Sequence, residues 1–194
     1  MEHGTAVDST ERILIEGCAR GDSGALGEIV RIYGGSLLGY LQKMCGSREQ
    51  AEDVFQETFT KLYENASTIR GENLRPWLYT VATRLVINQL RRRKRVKFVS
   101  FGGTEDCDGA ARVADETSDP VDEAAKSERK LQVRGAIVSL PERMRATLVM
   151  AYYQGMSYAE IAECMGCSIG TVKSQMFRAL RILAERLPQG EDNI

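Results

Sequence analysis

Thr171, Lys173, Ser174, Gln175 and Arg178 crowd one short stretch near the C-terminus, and their side chains suit reading rather than bond breaking. Gln makes two hydrogen bonds to an adenine edge, Arg to a guanine edge, and Lys pairs with phosphate. Such groups work only on a rigid support, and the surrounding segment from Ser157 to Leu183 supplies one. Ser157 with Glu160 forms a capping box that opens a first helix, whose inner side is Ile161, Ala162 and Met165. Gly166 supplies the positive φ that ends it, and Ser168 caps a second helix running from Ile169 to about Glu185. Val172, Met176, Leu180 and Leu183 recur at helical spacing and are expected to face inward. The polar residues are left outside, near the second helix's N-terminus, where a helix-turn-helix makes its base and phosphate contacts. The plainer alternative is a helical hairpin with a solvated face.

Three further clusters carry charge. Asp53, Gln56 and Glu57 form an acidic and amide patch on the outer face of a helix whose inner face is Ala51, Val54, Phe55, Phe59 and Leu62. Between Arg70 and Lys97 only Glu72 opposes Arg70, Arg75, Arg84, Arg91, Arg92, Arg93, Lys94, Arg95 and Lys97. From Phe98 to Glu123 the balance inverts: Glu105, Asp106, Asp108, Asp115, Glu116, Asp119, Asp122 and Glu123 face Arg112 alone. The net charge of −1 therefore conceals segregated charge and does not exclude nucleic acid.

The elements that must position these groups read as helices throughout. Asp22 caps a helix with the stripe Leu26, Ile29, Val30, Tyr33, Leu37, Leu38 and Leu41. Ser47 with Gln50, and Ser139 with Glu142 around Pro141, read as further capping boxes. A helix starting near Pro76 carries Trp77, Leu78, Val81, Ala82 and Leu85 inward and runs into the arginines. Met144, Leu148, Val149 and Tyr152 line another, closed by Gly155. No useful alternating strand pattern appears, so the class is all-α, with two small helical domains. We place an N-terminal extension at 1–24, a first domain at 25–97, a flexible acidic linker at 98–129, a second domain with the helix-turn-helix at 130–187 and a tail at 188–194.

With 194 residues, 43% of them hydrophobic, the chain can fill two small cores. No apolar run approaches the ~18 residues of a membrane span, and the first ten residues lack the pattern of a signal peptide. A cytoplasmic protein without membrane insertion is expected. Cys164 and Cys167 form a C-x-x-C, but there is no second pair, and the sole histidine, His3, is distant in sequence. These two are read as packing groups, with thiol oxidation as the alternative; Cys18, Cys45 and Cys107 suggest nothing more specific, and all five are expected to stay reduced. We expect no metal and no cofactor. No nucleophile–base pair, catalytic carboxylate pair or phosphate-cradling glycine loop is evident, so no catalytic residue is assigned.

Together these segments resemble the extracytoplasmic-function sigma factors of bacterial RNA polymerase. AEDVFQETF from Ala51 to Phe59 is similar to the family's core-binding helix, RPWLYTVATRLVINQLRRRKR from Arg75 to Arg95 to its −10 and melting helix, and Leu140 to Leu180 to its −35 domain. The resemblance implies that Asp53, Gln56 and Glu57 dock on core RNA polymerase. It implies that Thr80, Thr83, Arg84 and Asn88 face the −10 strand of promoter DNA, from the helix side opposite the apolar stripe, with Arg91 and Arg92 beyond them. The segment Glu64 to Leu74 corresponds to the loop that holds a flipped base, with Asn65, Ser67, Thr68 and Asn73 as polar edges and Trp77 read as core. Thr171, Lys173, Ser174, Gln175 and Arg178 would read the −35 element.

The wording departs from the family at Thr83, Arg84 and Asn88, where many members have Arg, Asn and Asp, and at Gln175, where many have Arg. The promoter sequence is therefore not implied. The linker's acids would suit the basic interior of the polymerase through which the family threads this segment. An anti-sigma partner is left open. The competing reading is a stand-alone helix-turn-helix regulator, against which the arginine run after a Trp-bearing helix speaks; an enzyme ranks last.

Overall fold

The computed structural model describes residues 4–69, 73–100 and 120–187, with side chains over 10–69, 73–96 and 128–187. Eight α-helices cover the described residues: α1 (Gly4–Ala19), α2 (Ser23–Cys45), α3 (Arg48–Asn65), α4 (Leu74–Ser100), α5 (Pro120–Val138), α6 (Glu142–Gln154), α7 (Tyr158–Met165) and α8 (Ile169–Arg186), with a 3-10 turn at Ala66–Thr68. No strand occurs among the described residues.

Helices α1 to α4 enclose a core of Ile15, Cys18, Ile29, Leu37, Leu41, Val54, Phe59, Leu62, Leu78 and Val86. Helix α1, assigned to an extension by sequence, is part of this core. It packs along α2 and onto the 3-10 turn. Gly17 permits the approach, because a Cβ there would lie 2.7 Å from that of Ala25. The C-terminal helices close around Ile137, Leu140, Leu148, Val149, Met150, Ile161, Val172, Met176 and Ala179. Helix α5 begins at Pro120, inside the segment assigned to the linker. Residues 101–119, which hold Cys107 and most of the acids, lie outside the described residues, as do His3 and the tail at 188–194.

Local capping chemistry divides the expectations. Asp22 accepts from the backbone N–H of Gly24 and Ala25, Ser168 from that of Thr171, and both bonds of the Ser157–Glu160 box form. Gly155 and Gly166 adopt the left-handed conformation. The other two boxes do not form. Ser47 sits at the N-cap without a side-chain bond, and Pro141 takes the N-cap of α6 while the Ser139 hydroxyl donates to Ala136 O. Glu142 is drawn elsewhere, to Lys94 Nζ at 2.8 Å. Leu180, expected inward, is 41% exposed, and Ala179 takes the buried position.

The two helical sets pack against each other, α2 on α5 and α6, and α4 on α6 and α7. Arg145, 4% exposed, spans the contact. Its guanidinium donates to Met44 O at the end of α2, to Val138 O at the end of α5, and to Leu140 O at 3.0 Å. A helix C-terminus leaves carbonyls without intrahelical partners and carries partial negative charge, so a planar cation with several donors fits this junction. Arg134 Nη2 donates to Gly46 O at 3.0 Å. At the far end of the contact, Arg75 Nη2 donates to Gln154 O at 2.5 Å and the Tyr79 hydroxyl to Gln154 Oε1 at 2.6 Å.

Candidate nucleic-acid interface

Helix α8 presents its polar side as the pattern requires. Lys173, Ser174 and Arg178 are exposed, and with Phe177 and Arg181 they line one open groove. Thr171 is half-buried, its hydroxyl 2.9 Å from that of Ser168, so it serves the N-terminal cap. Gln175 corrects the sequence expectation. It is half-buried, and its Oε1 accepts from the Thr147 hydroxyl of α6 at 2.7 Å, because its position on α8 borders the buried Val172 and Met176 stripe. The Thr147 hydroxyl, also 3.0 Å from Arg143 O, ties Gln175 toward α6, while the second lone pair of Oε1 and the amide donors keep their hydrogen-bonding capacity. Sequence reasoning missed Phe177, 69% exposed, and Arg181. The available signal was their spacing of one and two turns from Lys173 and Ser174 on the same side of the helix.

Helix α4 departs further from expectation. Arg84, Asn88, Arg91 and Arg92 are exposed, but Thr80 is half-buried and donates its hydroxyl to Pro76 O at 2.7 Å. Thr83 is 3% exposed, with its hydroxyl 2.8 Å from that of Tyr40. The apolar stripe of α4 is thus broader than the pattern implied. Tyr40 and Tyr79 pack with ring centroids 5.2 Å apart, and burial pushes the Tyr40 phenol well above its ordinary value, so it stays a neutral partner for Thr83. Arg143, Cys164 and Met165 of the C-terminal domain pack beside the buried Thr83 and Ile87, and with the exposed Arg84, Asn88 and Arg91 they line a half-open cavity of about 200 Å³. Lys94 is held to Glu142; burial would raise that carboxyl, yet the Lys94 bond and neighbouring cations bring it below its usual range.

The loop before α4 is described only at its ends, since residues 70–72 lie outside the described residues. Asn65 donates to Lys61 O at 2.8 Å, and Asn73 Oδ1 accepts the backbone N–H of Arg75 at 3.2 Å. Ser67 and Thr68 are exposed, and Trp77 is half-buried against the core.

Asp53, Gln56 and Glu57 share the exposed side of α3, with Glu57 3.9 Å from Lys61 Nζ. Nothing in the described residues covers this face with an opposing cation at closer range, and surface pairs of this kind contribute little stability. The four described cysteines pack within the fold. Cys18, Cys45 and Cys164 are buried and Cys167 half-buried, with burial pushing the Cys45 thiol up to about 11 against the opposing pull of Arg145. No three His, Cys, Asp or Glu side chains converge as a metal site among the described residues, and no helix there is long and apolar enough to cross a membrane.

Two family matches cover these surfaces. Residues 29–96 match Sigma-70 region 2, and residues 130–183 match Sigma-70, region 4. The chain is 31% identical over 182 residues to the ECF RNA polymerase sigma-E factor of Haemophilus influenzae, covering 92% of this chain and 95% of that protein. It is 33% identical to the RNA polymerase sigma-H factor of Pseudomonas aeruginosa, covering 90% and 92%. A similar solved structure is the sigma factor RpoE of Bartonella quintana in complex with the anti-sigma factor NepR, at 25% identity and a TM-score of 0.66, covering 82% of this chain and 94% of that one. A region 2 helix set ending in exposed arginines and a region 4 helix-turn-helix, in this order on one chain, identify the protein as a member of the extracytoplasmic-function sigma factors, the subunits that direct bacterial RNA polymerase to promoters.

Proposed function

We propose a division of labour for this sigma factor among three helix faces. The exposed side of α3, through Asp53, Gln56 and Glu57, docks on core polymerase. Lys173, Ser174 and Arg178 of α8 read the −35 element, with Phe177 available for apolar contact with a thymine methyl group. Arg84, Asn88, Arg91 and Arg92 of α4 track the −10 strand. The observation that carries this reading is that every one of these polar side chains is exposed on an α-helix. The phosphoryl transfer belongs to the polymerase, and the subunit acts in the cytoplasm where that enzyme works. An anti-sigma protein is a further partner in this reading, because the Bartonella relative is held by one.

Run-off transcription with core polymerase over a randomised promoter library tests the whole assignment: a specific transcript dependent on this chain is expected, and its absence overturns it. For the core face, Asp53→Ala with Gln56→Ala is expected to weaken association with core polymerase in a titration while leaving the helical circular dichroism unchanged. Unchanged affinity would remove α3 from the interface.

For α8, Lys173→Ala is expected to weaken binding to every −35 sequence alike and to reduce the slope of log K against log salt by about 1, as loss of one phosphate contact does. Thr147→Val should release Gln175 from α6 and alter base preference at a single −35 position. An identical preference profile in that variant would count against any base contact by Gln175.

A further inference from the structure

The first helix, α1, lies outside both family matches and has no part in the three faces above, yet it contains Glu11, a carboxylate only 6% exposed. Both of its oxygens are engaged. Oε2 accepts the backbone N–H of Leu74, 63 residues away, at 2.7 Å, and Oε1 accepts the hydroxyl of Tyr33 on α2. Leu74 is the first residue of α4.

The backbone donors of the first three residues of that helix can be accounted for. The first turn of an α-helix leaves its N–H groups without intrahelical partners. Here Leu74 N–H goes to Glu11, Arg75 N–H goes to Asn73 Oδ1, and Pro76 has none. Helix α4 has no acidic residue in its own first turn, so the anion that favours a helix N-terminus is brought from α1. Burying a carboxylate costs more than burying an apolar side chain, so a site built for stability alone would be expected to hold Leu or Met. What the carboxylate adds is direction. It ties α1, α2 and α4 to one point, while α1 also packs on the 3-10 turn Ala66–Thr68 at the other end of the loop. The loop's entry and exit are thereby referred to the same helix. Tyr33, whose phenol is pushed well above its ordinary value by burial and then by Glu11 itself, remains a donor throughout the physiological range.

We infer that Glu11 is a positioning residue for −10 recognition: it sets the start of α4, and with it the rotation of Arg84 and Asn88 and the separation of Asn65 from Asn73. This inference rests on the assignment of α4 to the −10 strand. A recognition surface tolerates about 0.5 Å of misplacement before selectivity falls. Loss of the tie is therefore expected to affect discrimination before it affects folding.

The test compares Glu11→Ala, Glu11→Gln and Tyr33→Phe in reconstituted holoenzyme on a library randomised only in the −10 element. Glu11→Ala should lower the preference for the best over the second-best −10 base by about tenfold. Core affinity and −35 preference should stay at the parent level. Glu11→Gln keeps an acceptor for Leu74 N–H and should restore most of the selectivity. Hydrogen exchange on the chain alone gives a second readout, in which Glu11→Ala should speed exchange at Leu74 and Arg75 but not in α3. A parent-like −10 profile in Glu11→Ala, or a parallel loss of −10 preference, −35 preference and core affinity, overturns the inference. If Glu11→Ala does not fold, Tyr33→Phe and Glu11→Gln carry the same comparison, and exchange at Leu74 that stays at the parent rate in Tyr33→Phe overturns it. Failure of the parent chain itself to give a promoter-specific transcript would instead sink the assignment of α4, with the exchange result still deciding whether Glu11 holds its N-terminus.

Discussion

Replacing Arg145 by Ala is expected to destabilise the chain by about 2–4 kcal/mol, measured as a shift in the first urea transition followed by circular dichroism. The side chain donates to three carbonyls from three places in the chain, Met44, Val138 and Leu140. An acceptor left buried and unpaired costs about 1–3 kcal/mol. The sum is reduced because the variant no longer desolvates a guanidinium, and because the parent leaves the Arg145 Nε–H without a partner among the described residues. Arg145→Lys should recover only part of the loss, since one ammonium cannot span acceptors arranged around a planar fork. A midpoint equal to the parent's in Arg145→Ala would mean that water replaces the guanidinium at no cost, and that the junction between α2, α5 and α6 is not held there.

Cys164 should report the separation of the two domains. It is 1% exposed on α7, with its thiol 3.6 Å from Pro76 O of α4, and burial raises its pKa above the ordinary thiol value, against a smaller lowering by Thr80. Thiolate is the reactive form, so exclusion from solvent and the raised pKa slow alkylation together. If the −10 strand is to reach Thr83 and Ile87 as well as the exposed Arg84 and Asn88, Arg143, Cys164 and Met165 must leave the surface of α4. A pulse of iodoacetamide followed by peptide mass spectrometry is expected to label Cys164 on the order of tenfold faster in holoenzyme bound to promoter than in the free chain. Cys18, enclosed by α1 and α2, serves as the reference and should not change. Equal labelling of Cys164 in both states would show that α7 stays on α4 during initiation.

Individual residues show where the sequence was legible. The Ser157–Glu160 box, Gly166 and the Ser168 cap are local chemistry, and the helices they bound occur where that chemistry puts them. Asp53, Gln56 and Glu57 are exposed because a helical stripe of large apolar residues leaves its opposite side free. Thr83 and Gln175 could not be placed in this way. Both stand at the margin of an apolar stripe, and each is turned inward by a single hydroxyl on another helix, Tyr40 and Thr147, that no local window contains. Glu11 escaped notice for the same reason, its partner being 63 residues distant. Ser139 illustrates the converse: a correct local motif was defeated because Pro141 took the cap and Lys94 took Glu142.

If α4 tracks the −10 strand, the parts of α6 and α7 seated against Thr83 and Ile87 compete within the chain for that −10 strand. Two modules on one polypeptide meet at an effective concentration on the order of millimolar, far above any free promoter strand. The observed affinity of the isolated subunit for that strand is then its intrinsic affinity multiplied by the fraction of molecules in which α4 is uncovered. An uncovered fraction of about 1% would weaken it about a hundredfold, without any change in the contacts made. Core polymerase, by engaging the two domains at separate points, would remove that factor. Promoter selectivity would thus be withheld from the free subunit by mass action within a single molecule, with no second protein required.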